Sequence, residues 1–212
     1  MNDGHKMKPT PRELLVATNN PGKLRELTQL LSALPIRLRG LAEFPHVPEV
    51  DETGATFAEN AVLKACAYSQ QIGLWTLADD SGLEVDALGG APGVFSARYA
   101  GAGATDAQRR QRLLAELGST GDDERRARFV CVIALARPGS STSDTFTGVC
   151  AGRIARQERG DGGFGYDPLF VPDGYEQTFG ELPDEVKQFI SHRARALAAA
   201  RDFLSAQLDT PA

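Results

Sequence analysis

Two adjacent carboxylates are the residues most able to do chemistry. Asp79 and Asp80 directly follow an apolar run, Trp75 to Ala78, which predicts a buried strand. Ligands of open α/β sheets bind beyond the carboxyl ends of strands, so a substrate is expected here. Neighbouring strand residues point to opposite sides, which predicts that one carboxylate faces the ligand and the other satisfies nearby backbone. Carboxylates are oxygen ligands that Mg²⁺ prefers, and Glu52 is the candidate second ligand. A turn at residues 79–82 is an equal alternative.

A loop rich in backbone donors follows the first apolar run. It consists of Thr18, Asn19, Asn20, Pro21, Gly22 and Lys23. The loop lies between a predicted strand, Glu13 to Ala17, and a helix whose leucines recur on one face. Free N–H groups at a helix start favour an anion such as phosphate. It is not a Walker A loop, because the first glycine is missing and Leu24 replaces the hydroxyl that binds magnesium. A plain turn with a surface lysine is the alternative.

Two cations fall within apolar helical stripes. Lys64 lies between the apolar positions of a predicted helix over residues 57–72. Arg193 occupies the same kind of slot if the last helix is continuous, in a stripe that includes Phe189. Either the stems extend along the core edge to water, or the stripes line a cleft where the cations meet an anion. His192 adds a donor beside Arg193, although a lone histidine is more often structural.

A glycine-rich segment, residues 162–168 (GGFGYDP), carries two aromatic rings and a carboxylate. Phe164 or Tyr166 could stack on a nucleotide base, and such stacking is worth roughly 1–3 kcal/mol. The carboxylate of Asp167 can accept hydrogen bonds from ring N–H groups. The alternative is a glycine-rich hairpin whose rings pack in the core.

Alternating strands and helices must position these residues. Capping boxes at Thr56 with Glu59 and at Thr105 with Gln108 start two helices. Predicted strands are Ile36 to Arg39, Trp75 to Ala78, Leu83 to Val85, and an antiparallel pair, Ala127 to Ala136 and Thr145 to Ile154. The chain is helical from Pro183 onward, either continuously or with a break at Ser191, which could cap a second helix. The pattern predicts an α/β fold with a mixed sheet flanked by helices, in one domain over residues 13–210, and it leaves a division into two lobes open.

Composition narrows the class of protein. The 212 residues include 28 acidic and 23 basic side chains, a net charge of −5, so nucleic acid is not expected as a main partner. The longest apolar run, residues 129–136, is far shorter than the roughly 20 residues that span a membrane. Residues 1–12 are polar and lack a secretory core, which predicts a flexible extension and a cytoplasmic location. Cys66, Cys131 and Cys150 are expected to be buried apolar residues.

Four blocks together resemble the inosine/xanthosine triphosphate pyrophosphatase family. They are TNNPGK at 18–23, ETGATFAENAVLKA at 52–65, ADDSGLEVDALGGAPGVFSARYAG at 78–101, and GGFGYDPLF with EVKQFISHRARAL at 162–170 and 185–197. The resemblance covers residues 14 to about 200. It implies an elongated, two-lobed, Maf-related α/β fold around a central cleft, usually in a homodimer. The implied reaction is Mg²⁺-dependent hydrolysis of ITP, dITP or XTP to the monophosphate and pyrophosphate.

The resemblance also implies roles for individual residues. Glu52 and Asp80 would bind magnesium, and Asp80 would also act as general base. The implied substrate contacts are Thr18 to Lys23 and Lys64 on the triphosphate, Ser81 beside them, and Phe164, Gly165, Tyr166, Asp167, Lys187, His192 and Arg193 around the purine. Asn19 stands where the family often has glycine, and asparagine can adopt the positive φ that would keep the loop's shape.

Three other functions are compatible with parts of the pattern. A Maf-type pyrophosphatase acting on pyrimidine or modified nucleotides shares the architecture, but the SHR and FGYDP blocks argue against it. A purine nucleotide sensor without turnover would not need both Glu52 and Asp80. A flavodoxin-like redox domain has no support beyond the α/β pattern.

Overall fold

The structure is a computed structural model that describes residues 12–208. The interpretation of residues 1–12 as a flexible extension lies outside this range, except for Arg12, which opens the first strand. The strands are β1 (Arg12–Val16), β2 (Ile36–Gly40), β3 (Trp75–Val85), β4 (Arg126–Ala136), β5 (Ser143–Ile154) and β6 (Phe170–Pro172). The helices are α1 (Pro21–Leu31), α2 (Phe57–Ile72), α3 (Asp106–Leu117), α4 (Asp184–Ile190) and α5 (His192–Leu208), with short 3₁₀ helices that include Gly93–Arg98.

The strands form one mixed sheet in the order β2-β1-β3-β4-β5-β6. Strand β1 pairs in parallel with β2 and β3, and the remaining pairs are antiparallel. Apolar side chains of α1 and α5 pack on one face of the sheet and those of α2 on the other. A third cluster joins α3 to the far ends of β3, β4 and β5. The predicted mixed α/β architecture is confirmed. No helix within residues 12–208 is long and apolar enough to cross a membrane.

Strand β3 corrects one prediction. Residues 79–82 do not end a strand in a turn; they lie in the middle of an 11-residue strand. Asp79 pairs with Ile133 and Gly82 with Val130, so the ladder continues through the polar positions. Backbone pairing with a long apolar neighbour overrides the turn preference of the Asp-Asp-Ser-Gly side chains. The sequence analysis also missed the three-residue strand β6.

The predicted helix boundaries are confirmed by their caps. Thr56 and Thr105 accept hydrogen bonds from the backbone N–H groups three residues on. Ser191 breaks the last helix, and its Oγ accepts from Ala194 N. Because of that break, α4 and α5 do not share one stripe, and Phe189 is 82% exposed rather than packed.

The three cysteines differ in burial. Cys131 and Cys150 are buried as predicted. Cys66 is only half-buried, so the prediction was wrong for this residue.

Candidate active site

Strand β3 sends its two carboxylates to opposite faces of the sheet. Asp79 meets Lys23 of α1 and Arg193 of α5. Asp80 meets Asn60 and Lys64 of α2. The predicted opposite orientation is confirmed. Asp80 Oδ1 also accepts a hydrogen bond from the next backbone N–H at 3.0 Å, but side chains hold both carboxylates as well.

Asp79 is a fully buried anion held by cations. Its Oδ2 lies 3.0 Å from Lys23 Nζ and 3.5 Å from Arg193 Nη2, and it accepts a hydrogen bond from Ser81 Oγ at 3.1 Å. Burial alone would raise the pKa of this carboxyl, but Lys23, Arg193 and Lys64 together hold it well below its usual value. Asp79 is therefore ionised and anchors both neighbouring helices.

Asp80 has fewer cationic partners than Asp79. Its Oδ2 accepts from Asn60 Nδ2 at 3.1 Å, and Oδ1 lies 3.9 Å from Lys64 Nζ. Burial raises the pKa of Asp80 above its ordinary value, and Lys64 only partly offsets that effect. The Oδ1 of Asn60 accepts from Gly54 N at 2.7 Å, which fixes the amide that orients Asp80. A raised pKa makes this carboxylate a stronger base than an exposed aspartate.

Lys64 places its ammonium between the two predicted metal ligands. Its Nζ lies 2.5 Å from Glu52 Oε1 and also donates to the Asp79 carbonyl at 2.8 Å. Burial would lower the pKa of Lys64, but the surrounding carboxylates raise it, so the lysine stays charged. The side chain is 12% exposed and borders an open cavity. Of the two alternatives for Lys64, the cleft is confirmed.

The loop before α1 borders the same cavity. Asn20 Oδ1 accepts from Lys23 N at 3.0 Å and so caps α1, while Thr18 Oγ1 accepts from Asn20 N. Asn19 donates through Nδ2 to Glu49 at 3.2 Å. No non-glycine residue among those described has a positive φ, so Asn19 does not use the positive φ that asparagine can adopt. A side-chain hydrogen bond fixes Asn19 instead.

Gly22 joins this loop to the glycine-rich segment. A Cβ at Gly22 would lie 2.7 Å from the ring of Phe164, so only glycine permits this contact. The ammonium of Lys187 lies 4.7 Å from the centre of the same ring. Lys187 Nζ also binds Asp167 Oδ2 at 2.6 Å and Glu26 Oε1 at 2.7 Å. Phe164 therefore packs between the start of α1 and a buried cation.

Arg193 and His192 present unpaired nitrogens next to this ring. Arg193 is fully buried and binds Glu26, Asp79 and Ser81. His192 stacks on Phe129 with ring centres 4.7 Å apart, and burial holds its pKa well below the usual value, so it is neutral. Neither Arg193 Nε nor His192 Nδ1 has a hydrogen-bond partner within residues 12–208. These two atoms are available for a hydrogen bond to a bound ligand or to water.

These residues line two adjoining cavities. One is bordered by Ser81, Phe164, Gly165, Tyr166, Asp167, Lys187, His192 and Arg193. The second is bordered by Thr18, Asn19, Glu52 and Lys64. Asn20 and Lys23 border both, so the two cavities form one cleft. We call the first the base cavity and the second the phosphate cavity.

Three predicted residues lie beside the cleft rather than on its walls. Asp80 contacts Lys64, which does border the cleft, and Gly22 packs against the ring of Phe164. Pro21 is exposed at the first position of α1, where a backbone N–H would have no hydrogen-bond partner within the helix, so a proline is tolerated. Tyr166 borders the base cavity, but its hydroxyl is committed to Ser96 O at 3.0 Å and its ring lies in the core.

Sequence analysis missed several residues of the site. Glu26 holds both Lys187 and Arg193, yet Arg193 is 167 residues away, so no local pattern reveals the pair. Asn60 could have been identified from the sequence, because it is a polar residue on the apolar stripe of α2. Arg98 borders the phosphate cavity, 3.6 Å from Glu52 Oε2.

The chain is similar to known proteins over most of its length. A dITP/XTP pyrophosphatase of Geobacter sulfurreducens is 52% identical over 194 residues, which cover 92% of this chain and 97% of that relative. The structure of a HAM1 protein from Coxiella burnetii superimposes with a TM-score of 0.84 at 46% identity, covering 92% of this chain and 98% of the other. A nucleoside-triphosphatase, or dITP/XTP pyrophosphatase, from Mycobacterium abscessus gives a TM-score of 0.73 at 46% identity, over 89% and 98% of the two chains. The Ham1 family model matches residues 14–203. The chain belongs to the Ham1 family.

Proposed function

We propose that the chain hydrolyses non-standard purine nucleoside triphosphates, namely ITP, dITP and XTP, to the monophosphate and pyrophosphate, and so removes them from the nucleotide pool. One observation carries the proposal: a cavity with an aromatic ring and unpaired donors adjoins a cavity with lysines and carboxylates, and Lys23 borders both. A nucleoside triphosphate fits this arrangement, with its base in the first cavity and its phosphates in the second. The names of the relatives support the same reaction.

The base cavity supports recognition of a 6-oxopurine. Arg193 Nε is a donor without a partner, and neutral His192 can donate from one ring nitrogen. The 6-oxo group of hypoxanthine or xanthine accepts such a bond, whereas adenine presents an amino donor there. Adenine would leave the buried donors unpaired, a penalty that can reach ~10⁴-fold in rate where a site is built around such a bond.

The phosphate cavity supports attack of water on the α-phosphorus. Lys23 and Lys64 would neutralise the charge that spreads over the phosphate oxygens, which in such reactions supplies most of the catalysis. Asp80 would orient the water or accept its proton at a carboxylate oxygen. The amide of Asn60 would hold that carboxylate in place. The loop from Thr18 to Lys23 would fix the triphosphate at the start of α1.

The donor set near Lys64 fits Mg²⁺ that is shared with substrate. Glu52 and Asp80 both lie within 4 Å of the Lys64 ammonium, so their oxygens already converge on a cation. No cluster of three or more His, Cys, Asp or Glu side chains suited to a metal occurs among residues 12–208. Mg²⁺ is typically held by one or two carboxylates together with substrate phosphates. When bound, it would neutralise phosphate charge.

The assembly and location are part of the same proposal. We propose one domain over residues 13–210 with two lobes, a homodimer, and a cytoplasmic location. The mass of one chain is 22.7 kDa. Light scattering of the purified protein tests the homodimer, for which we expect twice this mass, and a value of one chain would overturn it.

The deciding experiment measures pyrophosphate and phosphate released from ITP, XTP, GTP, ATP, TTP and UTP in parallel, with and without Mg²⁺. We expect pyrophosphate from ITP and XTP at rates far above that from ATP, and only with Mg²⁺. Preferential turnover of TTP or UTP would indicate a Maf-type pyrophosphatase instead. Tight binding of ITP without product would indicate a sensor.

A further inference from the structure

The first turn of α3 ties together two walls of the base cavity. One wall is the 3₁₀ helix Gly93–Arg98, and the other is the segment that carries Phe164 and Gly165. Asp106 and Arg109 border the same cavity and lie between these walls. Neither residue takes part in the proposed reaction.

The tie is a continuous chain of hydrogen bonds. Gly165 N donates to Asp106 Oδ2 at 2.8 Å, and the other carboxylate oxygen binds Arg109. Arg109 Nη1 then donates to the carbonyls of Ala97 and Ala104, both at 2.7 Å. The hydrogen bond from Gly165 and the contact with Arg109 together lower the pKa of Asp106 against the effect of burial, so the carboxylate is ionised. The bridge therefore runs from one wall to the other.

A second tie lies deeper in the molecule. Tyr166 Oη donates to Ser96 O at 3.0 Å, and both residues are buried. The side chain of Asp106 is 38% exposed, so the Asp106 bridge lies nearer to solvent, at the mouth of the base cavity. The buried tie holds the walls together, and the Asp106 bridge sets their separation at the mouth.

The polar groups at this mouth already have partners. Both oxygens of Asp106 are used, Ala97 O accepts from Arg109, and Gly165 O accepts from Arg110 Nη1 at 2.8 Å. An amino group placed here would have to enter the space that the bridge closes, and making room for it would break the bridge. Specificity of this kind uses steric conflict with the wrong ligand as well as contacts with the right one.

Guanine is the base for which such exclusion matters. GTP and ITP share the 6-oxo group, so donors such as Arg193 and His192 cannot separate them. The two bases differ by the 2-amino group of guanine. We propose that Asp106 and Arg109 are positioning residues that fix the width of the base cavity at its mouth and thereby exclude the 2-amino group of guanine. This inference rests on the proposed function, because it assumes that a purine occupies the base cavity.

The test compares Asp106→Ala, Arg109→Ala and the double variant with the wild type. The ratio of kcat/KM for GTP to that for ITP should rise about 10-fold in each single variant, a typical effect of reshaping a pocket by one small group. The double variant should match the single variants, because either single substitution already breaks the bridge. Gln111→Ala, exposed on the same helix, is the matched control and should leave the ratio unchanged.

Several outcomes would overturn the inference. If kcat/KM for the two nucleotides falls equally, Asp106 and Arg109 only support the fold. Additive effects in the double variant would show that the two residues do not act as one bridge. If Asp106→Ala does not fold, Arg109→Gln makes the same test from the other end of the bridge.

A binding measurement separates this inference from the proposed function. Calorimetric dissociation constants for IMP and GMP do not depend on turnover. A wild-type protein that releases no pyrophosphate would contradict the proposed function. In that protein, a GMP to IMP affinity ratio that rises in the Asp106 and Arg109 variants would still support the bridge, and an unchanged ratio would overturn it.

Discussion

The two ends of the cleft are built by different kinds of contact. In the phosphate cavity two of the contacts join residues that are close along the chain: Asn20 caps α1 by accepting from Lys23 N, and Lys64 binds Glu52 across 12 residues. In the base cavity Arg193 binds Glu26 across 167 residues and Asp79 across 114. The phosphate end therefore depends more on local contacts, although Lys23 also binds Asp79, and the base end depends on the meeting of α1, β3 and α5.

The two ends also differ in exposure. Glu52 is 29% exposed, whereas Arg193 and Asp79 are almost completely buried. Charges at the phosphate end can exchange partners when phosphates and a metal arrive. Charges at the base end are fixed before any ligand binds. Substitutions at the phosphate end should therefore change turnover, and those at the base end should change stability and selectivity.

The largest effect is expected for Asp80→Asn. Removing a general base or the group that orients water lowers the rate by about 10²–10⁴-fold, while ITP should still bind. Pyrophosphate release and calorimetry with ITP measure the two quantities. Glu84→Gln, on the same strand and ion-paired with Arg128, is the control and should keep its rate. An Asp80→Asn enzyme with near wild-type turnover would remove Asp80 from the mechanism.

Arg193→Ala should affect stability and selectivity together. It leaves the buried carboxylates of Asp79 and Glu26 without their arginine, and breaking a buried pair in this way costs about 3–5 kcal/mol. Urea unfolding measures this loss, and the ratio of kcat/KM for ITP to that for ATP should fall. Arg195→Ala, an exposed neighbour on α5, is the control. An unchanged ratio would assign base recognition to other residues.

Glu52→Gln should show the opposite pattern to Arg193→Ala. Loss of a carboxylate ligand should raise the Mg²⁺ concentration for half-maximal turnover by at least about 10-fold, since even removing a group that only orients a metal ligand can have that effect. The partly exposed pair with Lys64 should contribute no more than about 1 kcal/mol to stability. Glu49→Gln, which borders the same cavity, is the matched control. An unchanged Mg²⁺ requirement would exclude Glu52 as a ligand.

The smallest effect is expected for Thr56→Ala. This change removes the cap of α2, the helix that carries Asn60 and Lys64, and should lower the free energy of unfolding by about 1 kcal/mol. Thr105→Ala removes the equivalent cap of α3 and should lower it by a similar amount. Turnover of ITP should remain near the wild-type rate in the Thr56 variant. A large loss of turnover there would mean that the phosphate end is less independent than its local contacts indicate.

Much of the fold could be predicted because its signals are local. Capping boxes at Thr56 and Thr105, the cap at Ser191 and the apolar runs of β4 and β5 identify their elements from a few neighbouring residues. Errors arose where a distant partner decides the structure. Pairing with β4 carries β3 through Asp79 to Gly82, and the change of helix at Ser191 exposes Phe189.

The sequence by itself identified the charged residues that had to lie in unusual, partly apolar surroundings. Lys64 and Arg193 break apolar stripes, and two adjacent aspartates in a strand must face opposite ways, so periodicity alone identifies them. Only the tertiary structure decided their partners: Asn60 for Asp80, Glu26 for Arg193, and Asp106 for the segment around Gly165. The physical reason is the distance along the chain over which each effect acts. Periodicity acts within one element, whereas the pairing of buried charges depends on which elements the sheet brings together.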